Sequence, residues 1–275
     1  MTEFISCKEY AANLKEELKE LCEKSPRQRC LTVIQIGNDA ASNSYINGKR
    51  KDCEYVGIKF NHVHITDYEN LDESDLCKII KELDKSKEVD GIIIHLPIPD
   101  KYNVKTLQQF ISPEKDVDGF RKDSLYNPCT PQGIIDWLEA NDIDLRGKLV
   151  TVLGRSEIVG KPLVNMLIDK GATVINCNSK TLKSDMEKFM EISDIVISAI
   201  GKPKKFDYKW FCGETIIIDV GINRDEDGKL CGDVDKEDVD GFFGELCYVT
   251  PVPGGVGLLT RVTLLKNVMK WVNEI

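Results

Sequence analysis

Positive charge and long apolar runs are both scarce in this sequence. The 275 residues carry 37 lysines and arginines against 46 aspartates and glutamates, a net charge of -9. This excludes nucleic acid as the main partner, because phosphate binding needs a basic surface. No stretch approaches the roughly 18 uninterrupted apolar residues of a membrane helix. Residues 1–21 are charged and amphipathic, unlike a signal peptide, so we expect a soluble cytoplasmic protein.

Paired cysteines are also missing. The ten cysteines are scattered singly, without Cys-x-x-Cys spacing and without a histidine cluster near them. This pattern argues against a disulfide framework and against a metal site. We expect reduced, mostly buried cysteines that behave as small apolar residues, and no metal cofactor.

Apolar strand patterns alternate with helical patterns along the chain, which predicts an α/β fold with parallel sheets. The length suggests two modest domains, and the turn-rich segment 112–131 is the predicted crossing between them. A capping box of Ser6 and Glu9 predicts the start of the first helix. The predicted strands cover residues 31–36, 58–65, 91–97, 150–153, 172–176, 194–199 and 215–220. The further predicted helices cover 42–56, 73–84, 130–137, 161–170, 181–192 and 259–272, with a hairpin at 223–231.

A glycine turn at residues 154–160 connects a predicted strand to a predicted helix. The exposed N–H groups at such a helix start bind phosphate, so we predict a dinucleotide pocket. The spacing departs from G-x-G-x-x-G, and an ordinary tight turn remains the alternative. Residues 174–181 contain no Asp or Glu to bind the ribose of NAD, whereas Arg155, Ser156 and Ser179 favour a 2′-phosphate. We therefore predict NADP; the alternative for Arg155 is an ordinary surface arginine.

Other polar residues fall at positions where a ligand could bind. Tyr45 and Lys49 are four residues apart on one predicted helix face, although such a pair is often ordinary surface. His95 ends an apolar strand, where α/β sheets commonly open onto a ligand, and Asp116 and Asp118 follow the next element. The spacing also excludes a short-chain dehydrogenase, because Tyr45-x-x-x-Lys49 precedes the glycine turn by about a hundred residues.

Five motifs follow one another along the chain: Tyr45-x-x-x-Lys49-Arg-Lys, Pro-Glu-Lys-Asp-Val-Asp-Gly-Phe (113–120), Gly-Arg-Ser-x-x-Val-Gly-x-Pro (154–162), Ile-Asp-Val-Gly-Ile-Asn (218–223) and Thr-Pro-Val-Pro-Gly-Gly-Val-Gly (250–257). Together they resemble the methylenetetrahydrofolate dehydrogenase/methenyltetrahydrofolate cyclohydrolase family over essentially the whole chain. The resemblance implies two α/β domains around a cleft, the second of them Rossmann-like, in a homodimer of one-carbon metabolism and purine biosynthesis. It also implies NADP-linked oxidation of 5,10-methylene- to 5,10-methenyltetrahydrofolate, then hydrolysis to 10-formyltetrahydrofolate.

The resemblance also implies roles for individual residues. Tyr45 would stack on the folate ring, Lys49 would be the catalytic lysine, and Asp118 would hold the pterin's amino edge. Folate binding would belong to residues 1–135, with the helix 258–275 packing back on them, and NADP binding to residues 136–257. The NADP site would include Gly154, Arg155, Ser156, Gly160, Ser179 and Ile222; the folate side would include Pro253, Gly254, Gly255, Val256 and Gly257.

Three departures from the family's pattern leave alternatives open. His95 stands where the family usually has Gln, and a protonated imidazole would repel Lys49. A dehydrogenase that has lost hydrolysis is therefore one alternative, and a catalytically silent nucleotide-binding module is another. Arg121 and Leu258 also depart from the usual residues, on the folate side and at the domain crossing.

Overall fold

The computed structural model describes residues 2–4, 6–206, 210–211, 214–235 and 247–270. It forms two compact units: Met1–Ala11 with Thr130–Thr260, here called the six-stranded unit, and Ala12–Cys129 with Arg261–Ile275, the three-stranded unit. No helix in the described ranges has the length and apolar content that crossing a bilayer requires.

Strands and helices alternate along most of the chain, as the sequence predicts. The strands are β1 (Thr2–Phe4), β2 (Cys30–Ile36), β3 (Lys59–Ile65), β4 (Gly91–Ile94), β5 (Leu149–Leu153), β6 (Thr173–Cys177), β7 (Ile195–Ser198), β8 (Ile216–Asp219), β9 (Asn223–Arg224), β10 (Leu230–Cys231) and β11 (Cys247–Val249). The helices are α1 (Lys8–Lys24), α2 (Ala40–Val56), α3 (Glu73–Lys85), α4 (Val104–Gln108), α5 (Cys129–Ala140), α6 (Gly160–Asp169), α7 (Lys183–Glu191) and α8 (Val256–Lys270).

The three-stranded unit is built on a parallel sheet in the order β3-β2-β4. Every residue of the central strand β2 is buried, as expected for a parallel strand covered on both faces. Leu31, Val33 and Ile93 share a core with Leu264 and Val268 of α8. The sheet therefore presents the carboxyl ends of its strands, and the loops after them, at one edge.

The six-stranded unit contains a parallel sheet in the order β1-β11-β8-β7-β5-β6. Trp137 of α5 and Leu163 of α6 pack in one core with Val150 and Ile197 of the sheet. The predicted hairpin is also present as β9 and β10, which pair antiparallel, and Gly228 in its turn has a φ of +76°. The α/β prediction is thus confirmed in both units.

The sequence patterns did not predict β1, β11 or α4. β1 and β11 are three residues long and pair with each other. A three-residue strand is too short to show a period, and its partner lies far along the chain, so no local signal could predict this pair.

Most of the described cysteines are buried, as predicted. Cys7, Cys30, Cys53, Cys129 and other described cysteines are free and inaccessible, and only Cys22 is partly exposed among those described. Burial raises the pKa of Cys7 and of Cys53 to about 12. These thiols are therefore uncharged at neutral pH and unreactive as nucleophiles.

Candidate active site

Helix α2 places Tyr45 and Lys49 in the three-stranded unit. Asp39 caps its start by accepting a hydrogen bond from the Ser42 N–H at 2.7 Å, and Gly57 ends it with a φ of +93°. Both ends of the helix are thus specified by local chemistry. Lys49 is only 9% exposed and Tyr45 is half-buried, so the pair is not ordinary surface. Burial raises the pKa of the Tyr45 hydroxyl, an effect that the charge of Arg261 partly offsets.

His95 lies immediately after β4, at the carboxyl edge of the sheet. Its backbone N–H donates to the Ile34 carbonyl oxygen at 2.8 Å, which continues the strand pairing by one residue. Burial lowers the pKa of the imidazole to about 4, with a further contribution from the positive charge of Lys49; Asp39 acts in the opposite direction. The imidazole is therefore neutral at neutral pH, and His95 lies within electrostatic reach of Lys49.

Asp116 and Asp118 lie in the loop between α4 and α5, which contacts the sheet where the Ile92 N–H of β4 donates to the Lys115 carbonyl oxygen at 2.8 Å. Asp116 is buried, accepts a hydrogen bond from the Arg121 N–H at 2.8 Å, and has its pKa raised by burial to about 6. Burial also raises the pKa of Asp118, while the charge of Lys49 and a hydrogen bond from Cys129 lower it. The loop turns at Gly119, whose φ is +72°. Lys49 therefore interacts with both His95 and Asp118.

A pocket of about 530 Å³ opens at the carboxyl edge of the six-stranded sheet. Gly154 adopts a φ of +116°, and a side chain there would collide with the Ala199 carbonyl oxygen, so this turn requires glycine. Two aromatic rings, Phe206 and Trp210, meet edge to face beside it. The polar residues of its lining are Arg155, Ser156, Asn178, Ser179, Thr181, Lys183, Lys202 and Lys205, with no carboxylate among the described lining residues.

Two of the predicted cofactor residues are not part of this lining. Gly160 begins α6 and packs against the Gly154 carbonyl, where a side chain would collide with the backbone. Ile222 lies between β8 and β9 and is 43% exposed. Gly160 therefore allows the close turn that forms the pocket, whereas Gly154, Arg155, Ser156 and Ser179 line it.

Asp233 supports the pocket, and no sequence motif singled it out. Its fully buried carboxylate accepts hydrogen bonds from the backbone N–H groups of Ile200, Gly201 and Lys202, at 2.9, 3.3 and 2.9 Å. The Ser198 hydroxyl donates to the same carboxylate at 2.8 Å. One side chain thus holds the loop that follows β7. No local sequence signal could have indicated this role, because these four donors lie 31 to 35 residues away in the chain.

The loop 250–257 has a backbone path that requires glycine at two positions. The peptide bond before Pro253 is cis, and Gly254 has a φ of +107°. A side chain at Gly255 would collide with the Pro251 carbonyl, so the backbone passes too close for any residue but glycine. Val256 is buried and starts α8, with Gly257 following it.

These features define a two-unit α/β protein with a buried lysine in one unit and, in the other, a pocket lined by cationic and hydroxyl side chains of the kind that bind phosphate. Two family models together match most of the chain. Residues 5–118 match the catalytic domain of tetrahydrofolate dehydrogenase/cyclohydrolase, and residues 128–275 match its NAD(P)-binding domain. The chain belongs to the tetrahydrofolate dehydrogenase/cyclohydrolase family.

Individual relatives cover nearly the whole chain. A bifunctional FolD protein of Agathobacter rectalis is 42% identical over 92% of this chain and 91% of its own. The bifunctional FolD enzyme of Campylobacter jejuni has a TM-score of 0.91 and 37% identity, covering 99% of both chains. A Trypanosoma brucei dehydrogenase-cyclohydrolase, solved with NADP cofactor and an inhibitor, has a TM-score of 0.89 and 29% identity, covering 98% of this chain and 97% of its own. Nothing in these comparisons favours a dehydrogenase without hydrolysis.

Proposed function

We propose that this enzyme oxidises 5,10-methylenetetrahydrofolate with NADP and hydrolyses the 5,10-methenyltetrahydrofolate product to 10-formyltetrahydrofolate. The observation that supports this most directly is the position of Lys49. The lysine is buried, and its charge acts on a neutral imidazole and on a carboxylate from two other elements of the same unit. Family membership indicates which reaction is catalysed, and this cluster contains side chains that could catalyse it.

The oxidation step requires no general acid or base from the protein. The methylene carbon loses a hydride, and its two neighbouring nitrogens stabilise the cation that remains. Bound NADP supplies the hydride acceptor. Tyr45 would stack on the folate ring system, and Asp118 would accept hydrogen bonds from the amino edge of the pterin. Their task is to hold the ring in one orientation, which can account for a large part of the rate.

Hydrolysis does require proton transfer. Water adds to the methenyl carbon and loses one proton. The carbon–nitrogen bond then opens as the added hydroxyl loses its second proton to become the formyl oxygen, and the departing nitrogen gains a proton. Lys49 is the residue of this cluster that can carry protons between these atoms. His95 would be a positioning residue, since a neutral imidazole nitrogen accepts a hydrogen bond from the Lys49 ammonium group. The low pKa of His95 favours this arrangement and therefore favours retention of hydrolysis.

The pocket of the six-stranded unit suits NADP better than NAD. Four cationic side chains line it, Arg155, Lys183, Lys202 and Lys205, together with several hydroxyl groups. Such donors fit a 2′-phosphate, whereas a ribose diol is usually held by a carboxylate. Gly160 would support the phosphate turn, and Ile222 would contact the cofactor outside this lining. The loop of Pro253, Gly254, Gly255, Val256 and Gly257 would contact the folate.

These residue assignments divide the chain into a folate-binding part and an NADP-binding part. Folate binding would belong to residues 1–135 with 258–275, and NADP binding to 136–257. The cleft between the domains stays a prediction. Cytoplasmic location also remains a proposal, which cell fractionation would test.

A homodimer is the proposed assembly. Strand β3 pairs with β2 on one side, and no described strand pairs with its other side. A second copy could continue the sheet there, because an open edge offers unpaired backbone groups. Native mass spectrometry should give twice the chain mass of 31.0 kDa. A single-chain mass at every concentration would contradict this assembly.

One purified preparation can test both activities. With methylenetetrahydrofolate and NADP, NADPH and the methenyl compound are followed at separate wavelengths. We expect NADPH to form while the methenyl compound stays low relative to a control for uncatalysed hydrolysis. Accumulation of the methenyl compound, with decay at the uncatalysed rate, would show a dehydrogenase alone. Absence of both signals would support a silent nucleotide-binding module.

The Lys49→Gln variant separates the two steps. Loss of a proton carrier should lower hydrolysis by about 100-fold or more, with a smaller effect on oxidation. Lys51→Gln is the matched control, since Lys51 lies on the same helix but is exposed. Equal losses of both activities in the Lys49 variant would contradict a specific role in proton transfer.

A further inference from the structure

Cys129 is a buried side chain that the proposed reaction leaves without a role. It begins α5 and is 2% exposed. Its sulfur lies 3.2 Å from the Val117 carbonyl oxygen, and its thiol hydrogen-bonds with the side chain of Asp118. The thiol therefore contacts the carboxylate to which we assign pterin recognition.

Asn267 of α8 fixes the orientation of this thiol. The buried Asn267 amide donates to the Val117 carbonyl oxygen at 2.9 Å and to the Cys129 sulfur at 3.6 Å. The thiol therefore has two acceptors within reach: the Val117 carbonyl oxygen, to which Asn267 also donates, and the charged Asp118 oxygen, to which a hydrogen bond is the stronger. A sulfur that accepts from Asn267 also directs its own hydrogen away from α8.

The surroundings of Asp118 make this donor important. Burial raises the pKa of Asp118, whereas the charge of Lys49 on α2 and a hydrogen bond from Cys129 on α5 lower it. Asp116 in the same loop has its own pKa raised by burial and, to a lesser extent, by the charge of Asp118. Burial and Asp118 hold the pKa of Cys129 well above its ordinary value, so the thiol keeps its proton and remains a donor.

We propose that Cys129 is a positioning residue for folate recognition: its thiol, oriented by Asn267, holds the Asp118 carboxylate ready to accept hydrogen bonds from the substrate. This inference rests on the proposed function of Asp118. An ionised carboxylate can accept from the paired N–H groups of a pterin edge, whereas a protonated one presents a donor to those donors. Removing the thiol should therefore weaken folate binding most at acid pH.

The test compares Cys129→Ala with Cys129→Ser, measuring KM and kcat for methylenetetrahydrofolate from acid to alkaline pH. The alanine variant should raise KM about tenfold at the acid end, with kcat nearly unchanged, because a hydrogen bond to a charged group is lost. The rise in KM on acidification should also begin at higher pH. The serine variant keeps a donor and should remain close to wild type. Cys77→Ala, on the buried face of α3, is the control for losing a buried thiol.

Asp118→Asn distinguishes failure of the inference from failure of the proposed function. If this variant leaves the KM for folate unchanged, Asp118 does not bind the pterin, and both the proposed function of Asp118 and the inference about Cys129 are wrong. If it raises KM while Cys129→Ala behaves like Cys77→Ala, only the inference is overturned. A Cys129→Ala effect that disappears in the Asp118→Asn background supports the inference. Should the alanine variant not fold, Cys129→Val and Cys129→Thr give the same comparison, since only threonine keeps a donor.

Discussion

Arg261 lies against Gly48, in the middle of α2. The Arg261 Nε is 2.8 Å from the Asp52 carboxylate, and Asp52 also binds Lys15 at 2.6 Å. A methyl group at position 48 would collide with the Arg261 guanidinium nitrogen Nη1. This contact explains a glycine that costs an exposed helix about 1 kcal/mol relative to alanine. The helix bearing Tyr45 and Lys49 is thus packed against a guanidinium group of α8.

Gly48→Ala should therefore fail to give the usual gain in stability. Helix propensity alone would stabilise the protein by about 1 kcal/mol, but the guanidinium must move and its ion pair weakens. We expect the free energy of unfolding, from denaturant titration, to stay unchanged or fall slightly. Asn47→Ala is the control, since Asn47 is exposed on the same helix and should gain a few tenths of a kcal/mol. A full 1 kcal/mol gain in Gly48→Ala would contradict the importance of the contact.

His95→Gln should make the protein less sensitive to acid. The folded-state pKa of about 4 lies below the ordinary 6.5, so the unfolded chain binds the proton more tightly. The stabilisation is present above pH 6.5 and is lost as the pH falls toward about 4. Comparing denaturant titrations across this range, we expect wild type to lose about 2 kcal/mol more than the variant. Parallel curves for the two proteins would show that His95 does not titrate in this way.

Asp233→Asn should weaken NADP binding without touching the cofactor directly. Asparagine places an amide NH₂ among backbone N–H groups that need an acceptor, so the loop after β7 loses its anchor. We expect about 2 kcal/mol of destabilisation and a KM for NADP raised about tenfold, with less change in the folate KM. Asp227→Asn, in the exposed hairpin turn, should alter neither quantity. If the variant is destabilised but its KM for NADP is unchanged, the hydrogen bonds of Asp233 stabilise the fold without contributing to NADP binding.

Arg155→Gln tests the preference for NADP. Loss of a charge-assisted hydrogen bond to the 2′-phosphate should reduce kcat/KM with NADP by about tenfold to 100-fold, while activity with NAD changes little. Lys170→Gln removes a positive charge from the end of α6, outside the pocket lining, and serves as the control. Equal losses with both dinucleotides would place Arg155 away from the 2′-phosphate.

Local patterns were sufficient for much of the fold. The helix at α2, its end at Gly57, and the strands β2 to β8 follow from periodicity, capping and turn chemistry, all of which act over a few residues. The pairing of β1 with β11 was missed because it depends on two short segments from opposite ends of the chain.

The candidate site shows the same division. Tyr45 and Lys49 could be grouped from their spacing, because a helix turn alone places them together. Asp233, Cys129 and Asn267 could not be found in this way, since their roles depend on neighbours from distant segments.

The sequence by itself determined the α/β class, most element positions and, through five ordered motifs, the family. The tertiary structure decided which side chains are buried and which are charged. It buries Lys49, keeps the His95 imidazole neutral, and places Arg261 in the space that a side chain at position 48 would need. The physical reason is that periodicity and turns are local properties of the chain. Burial and electrostatic interaction depend on which remote segments come together when it folds.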